Sequence, residues 1–389
     1  MANWRQALTG AAADVEEHFD SLKSRFFTRL HSDKPIQIVP YIGFGTPENV
    51  YMRGRVLRDK GITRAADNDT IWANLANMYR RFNSDELPGV TVRATLGDIQ
   101  QTLVTNDEGY FEAAFDLPQP LAGAQSWHPV EVELIDYPGV SPPPEVRATG
   151  RVLVPPMNAQ FGVISDIDDT VLQTNVLNYL KMARNVFLRN AHTRLPFEGV
   201  AAFYQALQQG TQETFNPIFY LSKSPWNLFD LLVDFFEVRD IPLGPLLLTD
   251  MGLTPNQLLF PPSREYKLNN VRRLLDTYAH LPFILIGDSG EKDPEVYAQI
   301  AQEYPGRIPA IYIRDVTRAR RDAKVIALRD RAAAVNTDLL LVADTGIAAE
   351  HAAQHGYIAE SAIAQIMQER AQDLQAPRLL EELLGGDGE

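Results

Sequence analysis

The chain has 389 residues, of which 45% are hydrophobic and 22% charged, with a formal net charge of −14 and no cysteine. This is the composition of a folded chain long enough for two or three domains. The acidic balance excludes a general nucleic-acid binder, and the lack of cysteine excludes disulfides, thiol nucleophiles and thiolate metal sites. No apolar run reaches the length of a membrane span, and no basic start followed by an apolar core marks a secretory signal. The expectation is a cytoplasmic protein without a transmembrane segment, with attachment at the membrane periphery as the alternative.

Residues 1–33 carry apolar side chains at Trp4, Leu8, Ala12, Val15, Phe19, Leu22, Phe26 and Leu30. That spacing predicts an amphipathic helix with one apolar stripe. Its acidic residues, Asp14, Glu16, Glu17 and Asp20, argue for packing on the protein's own core over a membrane surface, where a basic polar face is usual.

Residues 34–155 read as an all-β sandwich domain. Short β-prone segments recur at 36–41, 49–56, 90–96, 101–104, 110–115, 130–134 and 145–154, separated by turn clusters such as Asn106-Asp107-Glu108-Gly109. No catalytic constellation lies here. Pro142-Pro143-Pro144 and Pro155-Pro156 punctuate its end.

From residue 156 to 389 strands alternate with helices. Strands are expected at 161–165, 218–221, 245–248, 283–286, 310–313 and 339–342, with helices at 197–209, 226–239, 266–278 and the C-terminal end. Helices of this length between short apolar runs predict an α/β doubly wound parallel sheet covered on both faces.

Chemistry gathers at the carboxyl ends of these strands, where open α/β sheets place their ligands. After Phe161-Gly162-Val163-Ile164 comes Ser165-Asp166-Ile167-Asp168-Asp169-Thr170. Three crowded carboxylates repel one another unless a cation offsets them. After Ile218-Phe219-Tyr220-Leu221 comes Ser222-Lys223-Ser224-Pro225-Trp226. Lys267 stands near the start of a helix, and Phe283-Ile284-Leu285-Ile286 leads into Gly287-Asp288-Ser289-Gly290-Glu291-Lys292-Asp293. Carboxylate oxygens suit Mg²⁺, a carboxylate can attack phosphorus, hydroxyl and backbone N–H groups hold phosphate oxygens, and a lysine offsets developing negative charge.

In this order the motifs resemble the haloacid dehalogenase-like phosphohydrolase superfamily, whose pattern is DxDxT, a strand ending in Ser or Thr, a Lys, and GDxxxxD. The wider wording of the three strand-end segments is similar to the actin-patch phosphatidate phosphatase family, in its bacterial-type form. The resemblance covers about residues 157–345. It implies a nucleophile at Asp166 that forms an aspartyl phosphate, and an acid–base group at Asp168. It implies Mg²⁺ held by Asp166, the Asp168 backbone carbonyl and Asp288, with Asp293 in support. Ser222, Lys223 and Lys267 would bind the phosphoryl group, and Thr170 would hold the turn. Ser224 is the alternative to Ser222; its Ser-Pro-Trp setting also reads as a helix cap.

The resemblance implies a Mg²⁺-dependent phosphomonoester hydrolase acting on phosphatidate or a related lipid phosphate. A soluble phosphate ester is one alternative. A non-catalytic scaffold working through the β-sandwich is another. The stretch between Thr170 and Phe197 has no acidic residue but carries Lys181, Arg184, Arg189 and Arg194. It reads either as an electropositive gate for an anionic substrate at a lipid surface or as an ordinary amphipathic helix with a solvated face.

Overall fold

The structure, a computed structural model, describes residues 35–58, 86–121, 125–167, 198–212, 214–249, 263–315 and 322–375. The N-terminal helix, the turn residues Asp168, Asp169 and Thr170, and the basic residues Lys181, Arg184, Arg189 and Arg194 lie outside the described residues.

The first unit is a mixed eight-stranded sheet of β1 (Ile36–Pro40), β2 (Gly43–Gly45), β3 (Asn49–Arg58), β4 (Thr91–Leu96), β5 (Ile99–Val104), β6 (Tyr110–Asp116), β7 (Trp127–Asp136) and β8 (Arg147–Leu153). Its order is β1-β3-β2-β8-β7-β4-β5, with β6 on the other side of β3. Every pairing is antiparallel except β2 with β8. The seven strand-prone segments of the sequence are strands; β2, only three residues long, has no sequence signal. The expected division into two sheets is not observed, because hydrogen bonding runs without a break across all eight strands. The sheet curls instead. Val50, Met52, Phe111 and Phe115 from β3 and β6 share one core with Val92, Ala94, Val130 and Val132 from β4 and β7. The Gln101 side-chain amide on β5 bonds both the N–H and the C=O of Ala114 on β6.

The second unit is a six-stranded sheet of β9 (Gly162–Asp166), β10 (Ile218–Pro225), β11 (Leu246–Thr249), β12 (Phe283–Asp288), β13 (Ala310–Arg314) and β14 (Asp338–Val342). All its pairings are parallel, and the order is β11-β10-β9-β12-β13-β14. Counted within the unit this is 3-2-1-4-5-6, the doubly wound order, whose direction of winding reverses between β9 and β12.

Alternate strand residues feed two cores. Val163, Ile218, Tyr220, Ile284 and Tyr312 face α1 (Val200–Gln209), α2 (Phe229–Val238), α6 (Thr345–Gln354) and α7 (Ala362–Gln375). Ile164, Phe219, Leu221, Leu285 and Ile311 face α3 (Ser263–Thr277), α4 (Asp293–Glu303) and α5 (Asp322–Ala333). Burial on both faces is why these strands read as continuous apolar runs.

Helix α1 begins at Gly199 with no side-chain cap of its own. The Glu369 carboxylate accepts from Ala202 N at 3.1 Å and Asp373 accepts from Gly199 N at 2.8 Å. Two acids of α7 thus satisfy the open N–H groups of α1 and lie at the positive end of its dipole.

The two units share apolar packing. Tyr41 and Tyr110 belong to one core of the parallel sheet, Phe44 and Leu153 to the other. The Tyr41 ring stacks on Trp226 at 4.4 Å, Phe44 meets Phe219 edge-on at 5.8 Å, and the Arg273 guanidinium of α3 lies 4.5 Å from the Tyr51 ring centre.

Candidate active site

The reversal point between β9 and β12 brings two motif acids to neighbouring strand ends. Ile286 of β12 is in register with Ser165 of β9, so Asp166 and Asp288 are the next polar residues along adjacent strands. Lys267, on the second turn of α3, reaches in from the helical layer.

Lys267 is almost wholly buried, and its Nζ lies 2.8 Å from Asp166 Oδ2, 2.8 Å from Glu291 Oε2 and 2.5 Å from Asp293 Oδ1. Burial by itself would lower its pKa; Asp166, Asp293, Tyr297 and Glu291 outweigh that and hold it well above the ordinary lysine value. It is a permanent buried cation.

Asp293 is fully buried at the first turn of α4, and both its oxygens are engaged: Oδ1 by Lys267 and Oδ2 by Asp288 N at 3.2 Å. A Cβ on Gly287 would come within 2.4 Å of Asp293 Oδ2, so only glycine lets the strand end pass this carboxylate. Asp288 Oδ1 accepts from Gly290 N at 2.6 Å and Glu291 N at 3.0 Å, which winds the loop tightly around it. Burial, then Asp293, push the Asp288 pKa up to about 6, against those two backbone bonds and Lys267.

Glu291 is the residue the motif reading missed. Its Oε2 joins Lys267 to Lys223, whose Nζ is 2.5 Å away. Burial works to raise its pKa, but the two lysines prevail and hold it below the usual carboxylate range. Its sequence signal was weak, because an acid beside a lysine in a glycine loop looks like solvated charge.

Ser222, Lys223 and Ser224 all lie within β10, which runs on to Pro225. Ser224 is therefore not a helix cap. The following 3₁₀ turn, Trp226–Leu228, starts behind Pro225 with no side-chain cap. Ser222 and Ser224 are both buried, and Ser224 N donates to Ser222 Oγ at 3.0 Å. Thr249 Oγ1 donates to the Lys223 carbonyl at 2.7 Å and ties the end of β10 to β11. Beneath Asp166, Ser165 Oγ shares a 2.6 Å hydrogen bond with the hydroxyl of Tyr204 on α1. Burial, chiefly, pushes that tyrosine's pKa up to about 12, so it stays neutral.

The structure thus brings together Asp166, Lys223, Lys267, Asp288 and Asp293, with Ser222 on the strand beside Asp166; Asp168 and Thr170 are outside the described residues. Among the described residues, Asp166, Asp288, Glu291 and Asp293 gather around Lys223 and Lys267, four carboxylates to two ammonium groups, an excess of two negative charges. Hard oxygen donors with that excess fit a divalent cation of the Mg²⁺ kind.

Residues 161–315 match the family described as "Phosphatidate phosphatase APP1, catalytic domain". The matched segment opens just before β9 and closes just after β13, and it contains every site residue named above. The likeness is to a phosphatase catalytic domain. The chain is 34% identical over 163 residues to phosphatidate phosphatase APP1 of Saccharomyces cerevisiae, which is 42% of this chain and 27% of the yeast protein. It is 29% identical over 253 residues to an uncharacterized protein of Schizosaccharomyces pombe, 62% of this chain and 40% of that one. The chain therefore matches well under half the length of either relative. Among solved structures, a carbohydrate acetylesterase from Xanthomonas citri aligns over 76% of this chain and 65% of its own, at 10% identity and a TM-score of 0.24, a likeness too slight to bear on the fold. Among the described residues no helix is long and apolar enough to cross a membrane.

Proposed function

We propose that this chain is a Mg²⁺-dependent phosphomonoester hydrolase working through an aspartyl phosphate on Asp166, with phosphatidate or a related lipid phosphate as substrate. The observation that carries the reading is the buried Lys267 ammonium held 2.8 Å from Asp166 Oδ2. It fixes the attacking carboxylate and places a permanent positive charge where phosphoryl oxygens gather charge in the transition state. The lipid class rests on the printed names of the matching family and the yeast relative.

In this mechanism Asp166 attacks phosphorus, the bond to the ester oxygen breaks, and Asp168 protonates the leaving oxygen. Asp168 then takes a proton from the water that attacks the acyl phosphate, and Asp166 and phosphate are released. Lys267 and Ser222 hold the phosphoryl oxygens. Lys223 adds charge at the rim when it parts from Glu291. Asp293 is a positioning residue, since its oxygens are spent on Lys267 and the Asp288 backbone. Asp166 and Asp288 would hold Mg²⁺, with the Asp168 carbonyl; when bound it neutralises phosphate charge and orients the ester.

The test is phosphate release from phosphatidate vesicles and from soluble monoesters, with and without Mg²⁺. Mg²⁺-dependent turnover that falls by about a thousandfold or more in Asp166→Asn is expected. Wild-type turnover in that variant would overturn the mechanism, and turnover confined to soluble esters would overturn the lipid substrate.

A further inference from the structure

At the opposite, amino-terminal edge of the parallel sheet, three metal-type donors converge on one point. Asp338 opens β14, and His351 and His355 stand one turn apart on and just beyond α6. His351 Nε2 lies 3.5 Å and His355 Nε2 3.4 Å from the same atom, Asp338 Oδ2. The two imidazoles stack at 4.0 Å.

The opposite ring nitrogens have other partners. His355 Nδ1 is 2.9 Å from the His351 carbonyl, an acceptor only, so the proton of a neutral ring sits on Nδ1. His351 Nδ1 is 3.0 Å from the Tyr312 hydroxyl. Neutral His355 therefore aims a bare Nε2 lone pair at a carboxylate oxygen. A cation shared by the three donors turns that repulsion into attraction.

We propose that Asp338, His351 and His355 form a second metal site, for a borderline transition-metal dication of the Zn²⁺ class, distinct from the carboxylate site. Two imidazoles and one carboxylate are the donors such ions select, whereas Mg²⁺ prefers an all-oxygen set. Tetrahedral bonds of about 2.0–2.1 Å set neighbouring donors about 3.3–3.4 Å apart, close to the two N–O separations found here. The Nδ1 bonds are the outer contacts that fix ligating histidines in orientation and tautomer. His355 and Asp338 are half-exposed, so the ion enters directly and water completes its shell. Three strands across and one strand length down, the site is about 20 Å from Asp166. Its role is to pin the end of α6 to the start of the edge strand β14.

The test uses the tag-free full chain, stripped with a chelator and kept in millimolar Mg²⁺ so that the carboxylate site is filled. Zn²⁺ titrated by calorimetry is expected to bind one per chain and to raise the melting temperature. His355→Ala and Asp338→Asn should each weaken that binding about tenfold or more. Co²⁺ should give visible bands of a tetrahedral nitrogen–oxygen set in the wild type, and these should vanish in His355→Ala. Failure of the wild type to bind Zn²⁺, or unchanged affinity in both variants, would overturn the site. The readouts are binding and stability, so they stand apart from the phosphatase reading.

Discussion

Strand β4 of the mixed sheet buries Val92, Ala94 and Leu96 on one face and turns Arg93 and Thr95 outward, while strand β12 of the parallel sheet buries all six of its residues, Asp288 included. On β4 the charge is dispersed: Arg93 pairs with Glu133 at 2.7 Å with both side chains about one-third exposed. Around β12 it is concentrated, with Lys267, Asp166 and Asp293 almost wholly out of water. An exposed pair contributes little to stability and costs little to lose. A buried cluster of unequal charge is costly to keep, and each member depends on the others. The contrast teaches where to look for chemistry: at the strand end that concentrates buried charge, not on the strand that disperses it.

The sharpest way to break this contrast is Lys267→Met. It leaves three buried carboxylates without their shared cation and should destabilise the chain by about 3–5 kcal/mol, with turnover down by about a hundredfold or more. Denaturant unfolding and phosphate release measure the two effects, and the stability loss should shrink at pH 5, where carboxylates protonate more readily. Next is Tyr41→Ala, which removes a buried ring stacked on Trp226. It should cost about 3–4 kcal/mol in the same unfolding assay, although Tyr41 belongs to the unit that carries none of the proposed site residues.

Asp288 gives a pH test. In the unfolded chain it ionises from about pH 4 upward, but in the fold only near 6. Metal-free folded protein binds the extra proton between those values, so stability falls by about 3 kcal/mol as pH rises through that window and stays reduced above it. In chelator, denaturant unfolding at pH 5 and 7.5 should show this contribution in the wild type and lose it in Asp288→Asn. The smallest effect belongs to Arg93→Ala, expected to change stability by less than about 1 kcal/mol and turnover not at all. A larger loss there would erase the contrast between the sheets.

Much of this was legible in the sequence because parallel strands buried on both faces leave plain apolar runs, and chemistry at their carboxyl ends follows from the winding order. Asp166 and Asp288 stand at such strand ends, whereas Lys267, on helix α3, stood out by its place in the motif order. Glu291 was not legible, since its importance comes from Lys223 and Lys267, which reach it from two different elements. The continuation of β10 through Ser224 was hidden by the Ser-Pro-Trp wording, which favours a helix start locally while pairing with β11 keeps the chain extended to Pro225. The single curled sheet was hidden too, because alternation reports that one face is buried but not against what. The three residues of β2 are too few to show any period.

The contact of Tyr41 with Trp226 and the capping of α1 by α7 also govern how this protein can be cut. A fragment trimmed to residues 161–315 would bare the Trp226 face, leave the N–H groups at the head of α1 without Glu369 and Asp373, and turn β13 into a raw apolar sheet border. The stretch that matches the family is thus smaller than the unit that packs together, and truncations that keep these contacts begin by residue 35 and run through residue 375.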